Sequence, residues 1–218
     1  MIFKDRAEAG RALAARLMQF SGRSDAVVLA VPRGGVPVGF EVARALGLPL
    51  DIFIVRSLPV PGHPNLTMGY VTSGDVLLLY PDVVHGLRIS EEEVQEVAGR
   101  EQRQLEQIER LYRGERAPLG VHGRTLILVD EGLVPGSSIR AAALALRDRS
   151  PAWVTVAVPV AAPGTCTELA REVDEVACVA TPDSFISIAH CYREFPEVSD
   201  EQIRALLERS NNKVARAA

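Results

Sequence analysis

An open, mostly parallel, doubly wound α/β sheet with a hairpin-and-helix hood inserted near its middle is the fold class that the 218-residue sequence predicts. Three observations carry it. Short apolar runs rich in β-branched residues recur along the chain: AVVLAV (26–31), LDIFIV (50–55), TLILVD (125–130), WVTVAVPV (153–160) and EVACVA (175–180). Strands covered on both faces read this way, and such burial is typical of a parallel sheet. Stretches of helical spacing lie between these runs, as right-handed βαβ units require. Between Arg56 and Gly123 the pattern changes to a proline-rich loop, short strands and one long charged helix, which marks an insertion.

Taken in order, Ala9, Leu13, Leu17 and Phe20 recur at spacings of three and four, so the segment Asp5–Phe20 is expected to be an amphipathic helix. The AVVLAV strand follows, then a helix ending at Gly47, then the LDIFIV strand. In the insertion, SLPVPGHPN (57–65) reads as a loop, while LTMGYV (66–71) and DVLLLY (75–80) read as the strands of a hairpin. The charged helix that follows opens with Ser90 and Glu93 in a capping-box pattern, and its charge run reads as a solvated face. Beyond it the parallel pattern resumes with TLILVD, a helix over 138–149, WVTVAVPV, a helix over 164–173 and EVACVA. One domain over 1–209 is expected, with the inserted subdomain at about 57–123 and a flexible tail over 210–218.

The residues are 47% hydrophobic and 24% charged, which suits a soluble globular chain and excludes a large disordered tract. A formal net charge of −4 argues against broad binding to a nucleic-acid backbone, which needs cations gathered on one face. The start, MIFKDRAEAG, lacks the apolar stretch of a signal peptide, and no window is apolar enough to span a membrane, so a cytoplasmic protein is expected. Cys166, Cys178 and Cys191 show no C-x-x-C spacing and read as small buried hydrophobes.

Two features fall at the carboxyl ends of predicted strands, where open parallel sheets bind their ligands. In VPRGGVP, Gly34 and Gly35 permit close approach of the backbone to a ligand, and Arg33 offers a fork of donors for phosphate oxygens. In LILVDEGLVPGSSIRAA, Asp130 and Glu131 could accept hydrogen bonds from vicinal hydroxyls. The amides from Gly132 to Ser138, at a helix N-terminus, could cradle a phosphate monoester. Each stretch alone reads equally as a tight strand-to-helix turn, with Ser137 or Ser138 as an N-cap. Together they point to one ligand that carries a sugar diol between two phosphate groups.

An apolar strand, two acids, a short loop and a helix form the signature that the sequence shares with the type I phosphoribosyltransferase family. It resembles most closely a bacterial branch with PRGG-V-P-V after the first sheet strand and F-P-x-V-S-D-E near the end, here Pro32–Val38 and Phe195–Glu201. The likeness runs from about Ile2 to Leu207. It implies that Asp130 and Glu131 are the catalytic acids that bind the ribose hydroxyls of phosphoribosyl pyrophosphate. Leu133, Val134, Gly136, Ser137 and Ser138 would hold the 5′-phosphate, and Arg33, Gly34, Gly35 and Arg56 would face pyrophosphate. Mg²⁺ is the implied cofactor, bridged through the substrate and possible at Asp130 and Glu131. The implied partner is a small phosphoribosyl compound or nucleotide, and a homodimer is a family-based expectation.

Two departures stand out. Pro135 occupies a position where the family has Thr, which removes a hydroxyl and a backbone N–H from the cradle. Ser57 follows Arg56 where relatives carry Lys. Both weaken phosphate binding, by roughly 1.5–3 kcal/mol for each charge-assisted hydrogen bond lost. They open a second reading, a binding or regulatory module without turnover. A phosphorylated-sugar hydrolase is a third, for which no nucleophile stands out. His63 sits in the proline-rich loop and could close over a site; His190 beside Cys191 does not make a nucleophile–base pair, because neighbouring side chains diverge. Tyr70, Phe185, Tyr192 and Phe195 read as hood packing, with a stacking wall for a base as the alternative.

Overall fold

The computed structural model describes residues 2–217, with side chains as far as Asn211. Helix α1 (Arg6–Ala14) is capped by Asp5, whose carboxylate accepts the Glu8 N–H. The helix expected to reach Phe20 instead tightens after Ala14, where Arg16 and Leu17 donate to carbonyls three residues back, and a 3₁₀ turn (Met18–Phe20) follows. Leu17 and Phe20 stay buried. Strand β1 (Ala26–Ala30), helix α2 (Gly35–Leu46) and strand β2 (Leu50–Ile52) form the first βαβ unit; Gly47 ends α2 in the left-handed conformation.

Strands β3 (Val55–Val60), β4 (His63–Thr72) and β5 (Val76–Leu79) make a separate antiparallel sheet in that order. The stretch expected to be a loop is therefore mostly strand, turned over at Pro61 and Gly62. Strand β3 is an edge, where prolines are tolerated, and the register shifts on both sides of Pro59 absorb its missing N–H. Helices α3 (Pro81–Gly86) and α4 (Glu91–Arg113) complete the hood, and the Ser90–Glu93 capping box is formed in both directions.

The second half runs through β6 (Thr125–Val129), α5 (Ser138–Arg147), β7 (Trp153–Val160), α6 (Thr165–Leu169), β8 (Glu175–Ala180) and α7 (Asp200–Ala217). Helix α6 is shorter than the ten residues expected. Helix α7 takes in 210–217, where a tail is expected from the sequence; Ala218 lies outside the described residues. The main sheet has the order β2-β1-β6-β7-β8, with every pairing parallel. Two large apolar clusters cover it, one on each face, which is why its strands carry no polar alternation. Among the described residues no helix is long and apolar enough to cross a membrane. The three cysteines are unpaired, Cys191 buried and the other two half-buried.

Most of the charge on α4 lies on a solvated face, as expected, but not all of it. Val94, Val97, Ala98, Leu105 and Tyr112 are buried, and so are Glu101 and Arg113. Arg113 Nε donates to Asp51 Oδ1 at 2.9 Å, Nη2 donates to the Ile52 carbonyl at 2.7 Å, and Nη1 lies 2.7 Å from Glu109. Asp51 also accepts the N–H groups of Ile52 and Leu119. The hood is thus bolted to strand β2 by a fully bonded ionic network, the only form in which buried charge is tolerated.

Candidate active site

Strand β1 connects to its left-hand neighbour β2 and strand β6 to its right-hand neighbour β7, so the chain reverses direction of travel between β1 and β6. A crevice opens outside the carboxyl ends of two such strands. Ala30 pairs with Val129, and the Val31 N–H donates to the Val129 carbonyl at 2.9 Å, so the PRGG turn and the acid pair leave the sheet side by side. The Pro32–Arg33 peptide is cis.

Contact between the turns is tight enough to explain both glycines. A Cβ on Gly34 would fall 1.9 Å from Glu131 Oε2, and one on Gly35 would fall 2.7 Å from the Val129 carbonyl oxygen. At Gly35 the obstacle is backbone and no side chain fits; at Gly34 a side chain would have to push the Glu131 carboxylate aside. Glu131 is held further by Arg6 of α1, whose Nε donates to Oε2 at 2.5 Å, and by Tyr192, whose hydroxyl donates to the Glu131 carbonyl at 2.6 Å. Asp130 Oδ1 accepts the Glu131 N–H at 2.7 Å. Burial pushes the Asp130 carboxyl up to about 8; the neighbouring Glu131 charge adds to the rise, while the Glu131 amide and Arg6 oppose it. Two adjacent acids thus have different environments: one faces an arginine, and the other has little but an amide to support its charge.

After the acids, Val134, Pro135, Gly136 and Ser137 form a turn closed by the Ser137 N–H on the Val134 carbonyl at 3.1 Å. Gly136 has φ +71°, and Pro before such a glycine is the type II arrangement, so Pro135 suits the loop as a turn residue. The same hydrogen bond occupies one amide of the cradle. Donors remain: the first N–H groups of α5 have no partner within the helix, and Ser137 Oγ is a buried oxygen with no hydrogen-bond partner. A polar atom in that condition fits a loop waiting for an anion. Tyr70 of the hood reaches this loop and donates to the Gly136 carbonyl at 3.2 Å.

Among the residues singled out in the sequence, Gly34, Gly35, Asp130 and Glu131 are in direct proximity, with Leu133–Ser138 following on from the acids. Arg33 is exposed and reaches toward α7, 3.3 Å from Asp200. Arg56 departs from the expectation. Its guanidinium is taken by Glu101 and by Gln104 on α4, and among the described residues no hydrogen bond or ion pair joins it to either turn. Strand alternation supplies the reason. Ser57 pairs with Tyr70, whose ring points to the Gly136 loop, so position 57 shares that face and Arg56 takes the other. His63 is exposed, its ring 3.3 Å from the Pro61 carbonyl. His190 contacts Ser187 of its own turn, and Cys191 is buried. Tyr70 packs edge-on against Tyr80, and Tyr192 packs with Phe3 and Phe195. Arg6 was missed by sequence reasoning: it is one of two arginines on α1, and its partner is 125 residues away.

No group of three or more His, Cys, Asp or Glu among the described residues is placed to hold a metal ion. Two carboxylates at one crevice suit a hard cation such as Mg²⁺ only where substrate oxygens and water complete its octahedron, which is the usual way that ion is bound.

No family model matches the chain. A Mycobacterium tuberculosis protein named "Putative phosphoribosyl transferase" is 38% identical over 216 residues, in each of two strains. The match takes in 99% of this chain and 48% of the relative, so the chain spans about half the length of the curated relatives it matches. The crystal structure of TT1426 from Thermus thermophilus is 37% identical, with a TM-score of 0.82 over 96% of this chain and 99% of that one. A purine phosphoribosyltransferase from Pyrococcus horikoshii aligns more loosely, at 14% identity and TM-score 0.44 over 84% of this chain and 93% of its own.

Proposed function

The chain belongs to the type I phosphoribosyltransferase family, and from that premise we propose that it transfers ribose 5-phosphate from phosphoribosyl pyrophosphate to a nitrogenous acceptor. One observation carries the reading: the Gly34–Gly35 turn and the Asp130–Glu131 pair meet at adjacent strand ends, so one sugar carrying two phosphate groups can touch both. The acids would accept hydrogen bonds from the two ribose hydroxyls. The Leu133–Ser138 loop would hold the 5′-phosphate with its helix amides and with Ser137 Oγ. Arg33 and the PRGG backbone would face pyrophosphate.

In the reaction the bond from C1′ to pyrophosphate breaks and a bond from C1′ to the acceptor nitrogen forms, through an oxocarbenium-like sugar. Little covalent help is needed from protein side chains. This chain supplies orientation, through a diol pinned at one end and a phosphate at the other, together with negative charge from Glu131 near the developing cation. Mg²⁺ held at Asp130 and Glu131 through the substrate would neutralise charge on the leaving pyrophosphate.

The test is calorimetry with phosphoribosyl pyrophosphate and Mg²⁺, followed by pyrophosphate release across a panel of bases. Micromolar binding with release is expected, and no binding would overturn the ribose site. Binding without release from any base would favour a second reading, a module that senses a phosphoribosyl compound or nucleotide. A particular feature supports that alternative: the Pro135 turn uses the Ser137 amide internally, and Ser57 leaves the loop-facing position of β3 uncharged.

The turn itself makes a prediction. Pro135→Thr restores a hydroxyl and an N–H to an exposed position of the loop, and it is expected to tighten inorganic phosphate binding about tenfold, the worth of one charge-assisted hydrogen bond. Titration calorimetry with phosphate on both proteins reads the difference; weaker binding by the variant would show that the proline turn is itself the better cradle.

A further inference from the structure

The sequence FPEVSDE has no role in the site as described so far, yet it touches the site at two points. Arg6 Nη1 donates to the Pro196 carbonyl at 2.7 Å, and the Arg6 guanidinium carbon lies 3.8 Å from the centre of the Phe195 ring. Arg33 Nη1 lies 3.4 Å from the Val198 carbonyl, and Arg33 Nη2 lies 3.3 Å from Asp200 Oδ1, which also accepts the Tyr112 hydroxyl at 2.7 Å. One short segment thus holds both arginines that border the crevice, but it holds them differently.

Arg6 is fixed on three sides. A carboxylate takes Nε, a carbonyl takes Nη1, and an aromatic ring covers one face of the plane; the side chain is 10% exposed. A planar guanidinium gripped in this way has one orientation, and it transmits that orientation to its partner. Arg6 grips Glu131 by Oε2, and Glu131 Oε1 has no protein partner among the described residues. The carboxylate lies against Gly34, where any side chain would push it aside. By contrast, Arg33 makes two long contacts, and its side chain is 49% exposed.

We infer that Arg6, set by Phe195 and Pro196, is a positioning residue for ribose recognition: it occupies one oxygen of Glu131 so that the other is presented to a sugar hydroxyl. The inference rests on the reading of the acid pair as a ribose-diol site. Arg6 touches no ligand in this scheme. Its effect therefore falls first on hydroxyl recognition: among the described residues its hydrogen bonds go to Glu131 and Pro196 and none reaches the phosphate loop that begins at Leu133. Arg33, more loosely held by the same segment, is left able to swing toward an anion.

The experiment compares ribose 5-phosphate, 2-deoxyribose 5-phosphate and inorganic phosphate by calorimetry on wild type, Arg6→Gln, Arg6→Lys and Phe195→Leu. Wild type is expected to prefer the ribose compound over the deoxy compound by tenfold or more. Arg6→Gln should bring that ratio close to one while its affinity for inorganic phosphate stays within twofold. Arg6→Lys, which keeps the charge but not the fork, should recover part of the ratio, and Phe195→Leu should lower it by a few fold. A wild type that does not distinguish the two sugars would remove the ribose site itself. A wild type that distinguishes them alongside an Arg6→Gln protein that does so equally well would overturn the role of Arg6 alone. Should Arg6→Gln fail to fold, Phe195→Leu decides: an unchanged ratio in that variant overturns the inference.

Discussion

Asp130→Asn combined with Glu131→Gln is expected to weaken phosphoribosyl pyrophosphate binding in the presence of Mg²⁺ by at least a hundredfold. Each carboxylate would receive a hydroxyl and share in holding the cation, and a charged acceptor in such a place contributes roughly 1.5–3 kcal/mol. Loss of two such contacts compounds to that factor. The single change Asp130→Asn separates binding from stability. Its amide oxygen can still accept the Glu131 N–H that now bonds to Asp130 Oδ1, so the turn keeps its geometry.

The sign of the stability effect follows from the raised carboxyl. Burial lifts Asp130 to about 8 in the folded protein, whereas an unfolded Asp titrates near 3.8. The folded state therefore holds the proton more tightly, and stability falls as pH rises from about 4 to about 8 as the unfolded chain sheds a proton that the fold retains. Asparagine has no proton to retain. The variant should melt several degrees above wild type at pH 8 and within a degree of it near pH 4.5, read by calorimetric scans across that range. Ligand affinity of the wild type should run the other way, rising toward pH 8, because hydroxyls and Mg²⁺ require the ionised carboxylate. Binding measured in buffers of different ionisation enthalpy should show a proton released at pH 7. A melting difference that does not change with pH would refute the burial account of Asp130.

Much of this site was readable from the chain because its parts are local. A strand covered on both faces must be apolar throughout, so AVVLAV and TLILVD announce themselves, and their polar ends mark where the sheet meets solvent. Glycines at 34 and 35 signal close approach, and the structure shows what approaches: Glu131 and the Val129 carbonyl. The unread parts depend on pairs distant in sequence. Nothing at Arg6 points to position 131, and nothing in FPEVSDE says that its carbonyls receive arginines. Arg56 misled for another reason: it was placed by analogy of position, and only the pairing of Ser57 with Tyr70 shows which of two neighbouring side chains faces the loop. The proline-rich stretch hid strand β3 and the start of β4: Pro59 lies on an edge strand, where proline is tolerated, and Pro64 is the second residue of β4, ahead of its regular pairing with β3. Helix α4 was legible as a solvated face but not in its two buried members, since a run of acids and arginines looks the same whether two of them are buried or none.

Burial on α4 yields the largest expected stability effect. Arg113→Ala should cost about 3–5 kcal/mol, because removing one member of a buried ion pair leaves the other without compensation. Asp51, with its side chain 10% exposed, would keep its bonds to the Ile52 and Leu119 amides but lose the charge that balances it. The Ile52 carbonyl would lose a donor as well. Burial by itself works against the charge on Arg113; Asp51 and Glu109 outweigh that and leave its pKa raised, so the network is held together by all three members. At about 2–4 °C per kcal/mol for a chain of this size, a fall in melting temperature of about 10 °C is expected. Asp51→Ala should cost at least as much, since it strands two amides in addition to the guanidinium. The double variant should cost less than the sum of the two, because once either partner is gone the other is already unsupported. Denaturant titrations of the four proteins measure that coupling. Should Arg113→Ala cost under about 1 kcal/mol, the level typical of a solvent-exposed pair, α4 would be the solvated helix that its composition suggests, and the hood would be attached to β2 by its apolar face alone.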